Sequence, residues 1–308
     1  MSHYQLFFFV WAVLGCAADQ FQEECGLQAI ASTPLLRGGL GGVKANQFPW
    51  HVAIFHRSNN RENFEQICGG SLVRSNVVIS AAHCFSDRSH SHQVHVADYR
   101  IVGGVHLSSW NSTEKGRQQS EIREVRLGEE YGASFRNFED DISIIYLTTS
   151  FTFSDTVRAV CLDLTDTDLN TKQTSPGTVG KVAGWGLTES GAPSDSLNIL
   201  AVPVVARGEC LDNLPTGYGR YLTSDKICAG FTNGTAVCRG GGGGGLVFPL
   251  QNSGAGPQRW FLRGVLSNAP SSGNLSDPCL GNAFAFYTNI YKHRMWLSAQ
   301  VDDNLPRG

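Results

Sequence analysis

Through most of the chain the apolar residues come in short runs, not at helical spacing. From Phe48 onward these runs cover 51–55, 71–80, 99–105, 142–147, 199–206, 246–250, 260–267 and 283–290. They are rich in Val, Ile and aromatics, and Gly, Asn, Ser and Pro separate them, the pattern of an antiparallel sandwich or barrel. Only the tail, 291–301 (YKHRMWLSAQV), reads as a helix, with Tyr291, Met295, Leu297 and Val301 placed on one face. No internal repeat is visible. The pattern predicts one all-β domain closed by a terminal helix.

The first residues break this pattern. Residues 6–15 (LFFFVWAVLG) form an apolar stretch too short to span a bilayer, followed by the small residues Cys16, Ala17 and Ala18. Residues 1–18 therefore read as a secretory signal peptide, and the mature protein is expected outside the cell without a membrane span. Cysteine usage fits an exported chain. Beyond Cys16 there remain Cys25, Cys68, Cys84, Cys161, Cys210, Cys228, Cys238 and Cys279, an even set that predicts four disulfides. Spacing alone does not select a pairing, and the absence of any CxxC argues against a zinc site.

Charge narrows the partners. With 17% charged residues and a formal net charge of −3 over 308 residues, nothing suggests a surface for nucleic acid or anionic lipid. Three sequons, at Asn111, Asn233 and Asn274, offer glycosylation sites, of which one or two are expected to be used. His90, His92 and His95 lie together in a polar loop; without cysteine or carboxylate neighbours they read as solvated, and no metal or cofactor is expected.

Four motifs carry chemistry. Cys68-Gly-Gly-Ser-Leu-Val leads into Val78-Ile-Ser-Ala-Ala-His83-Cys84-Phe, and Asp141 stands directly before the apolar run Ile-Ser-Ile-Ile-Tyr-Leu147. Val182-Ala-Gly-Trp-Gly186 and Lys226-Ile-Cys-Ala-Gly230 follow in order. Together they resemble the chymotrypsin/trypsin family of serine proteases, from about Phe48 to Trp296. The resemblance implies two packed antiparallel six-stranded β-barrels with a C-terminal α-helix, occupying 38–302 after a short leading segment at 19–37 and before a tail at 303–308. It makes His83 the general base and Asp141, not its neighbour Asp140, the carboxylate that orients it. In such a triad a serine hydroxyl attacks the amide carbonyl and two backbone N–H groups hold the oxyanion.

That serine is missing. Where the family places Cys-x-Gly-Asp-Ser-Gly-Gly-Pro, this chain reads Cys238-Arg-Gly240-Gly241-Gly242-Gly243-Gly244-Gly245. Aligned on the cysteine, Gly242 replaces the nucleophile and Gly241 the preceding aspartate, while Gly240 and Gly242 retain the oxyanion positions. No Ser, Thr or Cys lies between Arg239 and Gly245 in any register. Loss of a triad serine in a comparable enzyme removes on the order of 10⁶ in kcat. The activation signal is weakened as well. Cleavage after Arg37 would expose Gly38, which lacks the apolar anchor of the family's Ile-Val-Gly-Gly terminus, and Gly241 offers no carboxylate to meet the new amine.

The specificity pocket is altered in parallel. Ala236 stands where trypsin-like members carry an acidic residue, and Ser267-Asn268-Ala269 replaces Ser-Trp-Gly. Ser267 is left able to hydrogen-bond Asp141, and Ala285 replaces another pocket glycine. The resemblance pairs Cys68 with Cys84, Cys210 with Cys228, Cys238 with Cys279 and Cys25 with Cys161, and within the family the arthropod modular serine proteases look nearest. The expectation is a catalytically inactive homologue that binds a protein partner (a protease, a protease substrate or a surface ligand) in an extracellular cascade. An active endopeptidase in a related isoform or allele, and a structural secreted protein, are the alternatives.

Overall fold

The computed structural model describes residues 25–28, 45–57, 63–86, 94–186, 194–233, 241–250, 258–270 and 283–302. Among the described residues, twelve strands form two sheets. In the first, β1 (His51–His56), β2 (Glu65–Arg74), β3 (Val77–Ser80), β4 (Tyr99–Gly103), β5 (Gln118–Leu127) and β6 (Ser143–Leu147) close a barrel in the order β1-β2-β3-β6-β5-β4. In the second, β7 (Val179–Gly184), β8 (Asn198–Pro203), β9 (Lys226–Ala229), β10 (Gly245–Pro249), β11 (Trp260–Asn268) and β12 (Ala285–Asn289) run β8-β7-β10-β11-β12-β9. A bridge between Val204 and Ala229 brings its two edges, β8 and β9, together. All pairings within these sheets are antiparallel. The all-β, two-barrel expectation holds, with the first barrel closed and the second a curled six-stranded sheet.

The strands follow from burial. β1 and β3 read as unbroken apolar runs because nearly every residue is covered. β5 alternates exposed polar and buried positions at its start, placing Glu121 and Arg123 outward and Ser120 and Ile122 inward. One large apolar cluster joins the barrels: Trp50, Ile54, Leu72 and Ile145 from the first meet Trp185, Val247, Leu262 and Val265 from the second. A smaller cluster around Phe248, Leu266 and Tyr287 fills the second sheet.

Three expectations need correction. The run at 71–80 is not one strand but the end of β2, a turn at Ser75-Asn76, and β3. Helix is not confined to the tail, because α1 (Thr167–Gln173) and α2 (Arg207–Asp212) precede α3 (Arg294–Asp302). Asp166 caps α1 by accepting the Leu169 N–H at 2.8 Å, which satisfies one of the unpaired donors of the first turn. In α3, Leu297 and Val301 are buried but Met295 is 78% exposed. At about 100° per residue, Met295 and Leu297 point to opposite sides of a helix, whereas Leu297 and Val301 share one. Tyr146 docks this helix by donating to the Gln300 carbonyl at 2.9 Å.

Candidate functional site

The site lies where the two sheets meet. A 3-10 turn (Ala82–Cys84) that follows β3 carries His83, and the segment leading into β6 carries Asp141. The Cys68–Cys84 disulfide ties that turn to β2. Asp141 is fully buried, and its carboxylate accepts from the His83 N–H at 2.9 Å, from His83 Nδ1 at 2.8 Å and from Ser267 Oγ at 2.6 Å. Thr288 Oγ1 donates to the Asp141 carbonyl at 2.9 Å. Ser267 reaches in from a register shift between Leu266 and Asn268, and such a bulge re-aims a side chain.

Electrostatics reinforce the pair. Burial opposes ionisation of both groups, but each charge favours the other's, so the His83 imidazole is pushed up and the Asp141 carboxyl down from their ordinary values. The His83 side chain keeps 26% exposure, and with Nδ1 held by Asp141 its outer nitrogen, Nε2, is left without that partner. That nitrogen faces Gly242: a Cβ built there would lie 2.7 Å from His83 Nε2 and 3.7 Å from Cys68 Sγ. A glycine therefore occupies the point at which the oriented histidine is aimed.

The glycine loop is tied down by its backbone. Gly69 N–H donates to the Gly242 carbonyl at 2.8 Å, Gly243 N–H to Leu266 at 2.8 Å, and Gly244 N–H to Gly241 at 3.0 Å. Gly243 has φ +78°, and a Cβ there would overlap Ser80 Oγ and the Gly69 carbonyl, so only glycine fits.

Of the remaining expected residues, Ala285 is buried on β12, while Asn268 and Ala269 are half-buried beyond Ser267. Gly240 and Ala236 lie outside the described residues, as do Arg37, Gly38, Cys238, Cys279, Asn274, His90 and His92. Disulfides join Cys25 to Cys161, Cys68 to Cys84 and Cys210 to Cys228. Asn111 and Asn233 are exposed, and so is His95.

The structure adds neighbours that the motifs did not reveal. Phe138 stands edge-on to His83 at 6.5 Å between ring centres and meets Tyr221 at 5.9 Å, an aromatic wall beside the dyad. Behind Asp141, Asp140 lies in the left-handed region (φ +55°) and donates its N–H to Asp225 Oδ2 at 3.1 Å. Asp225 also accepts from Lys226 Nζ at 2.7 Å and faces His293 at 3.3 Å. Lys226 thus pairs with Asp225, and His293 Nδ1 lies 3.8 Å from Asp140 Oδ1. No sequence period links these residues, which converge only where β9, β12 and the 3-10 turn before α3 (Ile290–His293) pack together.

Two six-stranded sheets with a carboxylate-oriented histidine at their junction form the scaffold of the trypsin-like serine proteases. The chain belongs to the trypsin family, whose profile, described as Trypsin, matches residues 39–297. It is similar to phenoloxidase-activating factor 1 of Holotrichia diomphalia, 28% identical over 296 residues that make up 91% of this chain and 73% of that protein. It is also similar to the modular serine protease of Drosophila melanogaster, 28% identical over 278 residues, 87% of this chain and 41% of that one. Ovochymase of Halocynthia roretzi is 27% identical over 298 residues, 94% of this chain. The chain spans only 17% of the ovochymase and less than half of the modular protease.

Proposed function

We propose that this chain is a secreted, non-catalytic member of the trypsin family that works by binding a protein partner in an extracellular proteolytic cascade. One observation carries the reading: the residue against His83 Nε2 is Gly242, so the base has no hydroxyl to activate. Removing the nucleophile from such a site costs on the order of 10⁶ in turnover. Gly241, beside it, has no carboxylate with which to pair a newly freed amino terminus. The apolar stretch at 6–15, the disulfides and the exposed sequon residues Asn111 and Asn233 support export. Similarity to a phenoloxidase-activating factor supports a cascade as the setting.

The test has two arms. Purified protein, cleaved after Arg37, is offered a panel of peptide amides with varied residues before the scissile bond; no turnover above the uncatalysed rate is expected. The same protein, immobilised, is used to capture partners from its native extracellular fluid, and each captured protease is assayed with and without it. A partner whose cleavage rate changes supports the proposal. Peptide turnover by the native chain overturns the non-catalytic part, and failure of every partner assay at physiological concentration overturns the binding part.

A further inference from the structure

His51 is the least expected side chain at the junction of the barrels. It opens β1, is 4% exposed and lies opposite Ser71 in the β1–β2 register. Its ring rests on the backbone of β2: a Cβ at Gly69 would come within 2.7 Å of His51 Cε1 and 3.1 Å of Nε2. The indole of Trp185 packs against it at 5.0 Å between ring centres, tilted by 39°. From the second barrel the glycine loop arrives, with the Cβ direction of Gly244 ending 3.7 Å from Cε1. Neither ring nitrogen has a hydrogen-bond partner among the described residues, and neither does the hydroxyl of Ser71, which a Cβ at Gly245 would overlap. Buried polar groups in folded proteins are almost always paired. Here two unpaired side chains face the same run of glycines.

We infer that His51 is a pH-sensitive latch whose protonation releases the glycine loop 241–244 from the first barrel. A neutral imidazole tolerates an apolar slot, but an imidazolium carries a charge and two N–H donors that need partners. Among the described residues none accepts from its ring nitrogens, and none beside it offers a compensating negative charge. β2 presents Gly69 and the unpaired Ser71 hydroxyl, a neutral acceptor for one N–H at most, the loop presents glycines, and the chain after β7 presents Trp185. The nearby titratable groups, His83 and Asp141, are committed to each other beside Gly242. Burial alone lowers the His51 pKa to about 3.

The sign follows directly. The closed state holds His51 neutral, whereas an opened state lets it titrate at its ordinary 6.5. Stability is therefore present above pH 6.5 and lost as pH falls from 6.5 toward 3. Linkage raises the opening constant about tenfold per pH unit in that window, on the order of 100-fold by pH 4.5. His83, pushed up by Asp141, changes its contribution above 6.5 and does not produce this trend. The loop is the element that yields. Residues 241–244 are fastened by backbone hydrogen bonds outside the strand ladders, and glycine regains more backbone freedom on release than any other residue. β1 and β2, by contrast, are held in continuous ladders.

Hydrogen exchange of a peptide covering 241–250 in the purified full chain tests this, compared at pH 7.0 and 4.5 after correction for intrinsic rates. The expected result is a rise in opening on the order of 100-fold in the wild type, absent in His51→Gln. The NMR titration of the His51 Cε1–H gives a second measurement that needs no variant: it should stay silent from pH 7 to 4.5 while the protein remains folded. Equal loop protection at both pH values, the same response in His51→Gln, or an imidazole that titrates near 6.5 in the folded chain would each overturn the latch.

Discussion

Replacing Asp141 with asparagine separates two reasons for the His83–Asp141 pair to persist beside a glycine. If the pair is retained as structure, the substitution must cost stability whatever its effect on catalysis. The Oδ2 atom of Asp141 accepts from both His83 Nδ1 and Ser267 Oγ, at 2.8 and 2.6 Å, inside a fully buried site. Asparagine can keep one acceptor for the His83 N–H, but its NH₂ cannot accept the other two bonds. Hydrogen bonds to a charged acceptor are worth about 1.5–3 kcal/mol each, and His83 recovers part of the loss by changing tautomer. The expected net cost is therefore about 3 kcal/mol, which lowers Tm by about 6–12 °C for a domain of this size.

The pH dependence sharpens the prediction. His83 is raised by its partner, so its share is fully present below 6.5 and lost as pH rises through its folded pKa. Asp141 is depressed, so its share is present above 3.8 and lost as pH falls through its folded value. The wild type should lead Asp141→Asn most between pH 4 and 6.5, measured by urea denaturation of both proteins. A difference under about 0.5 kcal/mol across that window, the size of an ordinary surface change, would refute the structural account of the pair.

Other perturbations probe the frame. Gly243→Ala forces a Cβ into Ser80 Oγ and the Gly69 carbonyl, whereas Gly177→Ala, at φ +86° with nothing within 4 Å, meets only backbone strain. Thermal melts should show about 1 kcal/mol lost for Gly177→Ala and several times that, or no folded protein, for Gly243→Ala. Arg263 is fully buried and donates to Gln173 Oε1 at 2.7 Å, to the Asp163 carbonyl at 2.8 Å and to the Asp163 carboxylate at 3.3 Å. Asp163→Ala removes the carboxylate nearest that buried cation and should cost about 3–5 kcal/mol, while an Arg263→Met, Asp163→Ala double variant should recover part of it in a denaturation cycle. In α3, Leu297→Ala should cost about 2–5 kcal/mol and Met295→Ala less than about 0.5, because one side chain is buried and the other 78% exposed.

What could be read along the chain was what local chemistry writes there. The segments around Cys68, His83 and Asp141 carry their identity in order and spacing, and the apolar runs locate most strands. β5 was hidden because its outward positions are charged, and α1 and α2 are too short and polar to show a helical period. The meeting of Asp140, Asp225, Lys226 and His293 depends on long-range packing that no local pattern encodes. His51, in the run HVAIF, looks like any core-flanking residue until Gly69, Gly244 and Trp185 are placed around it.

The central claim, that His83 has no nucleophile to serve, is met most directly by fluorophosphonate labelling of the purified, Arg37-cleaved chain beside a Gly241→Asp, Gly242→Ser double variant. The account predicts no labelling of the native protein. In the double variant it predicts labelling at the introduced serine hydroxyl, slowed because the new Cβ must displace His83 Nε2 from 2.7 Å. Covalent modification of the native chain at any residue near His83 would contradict it.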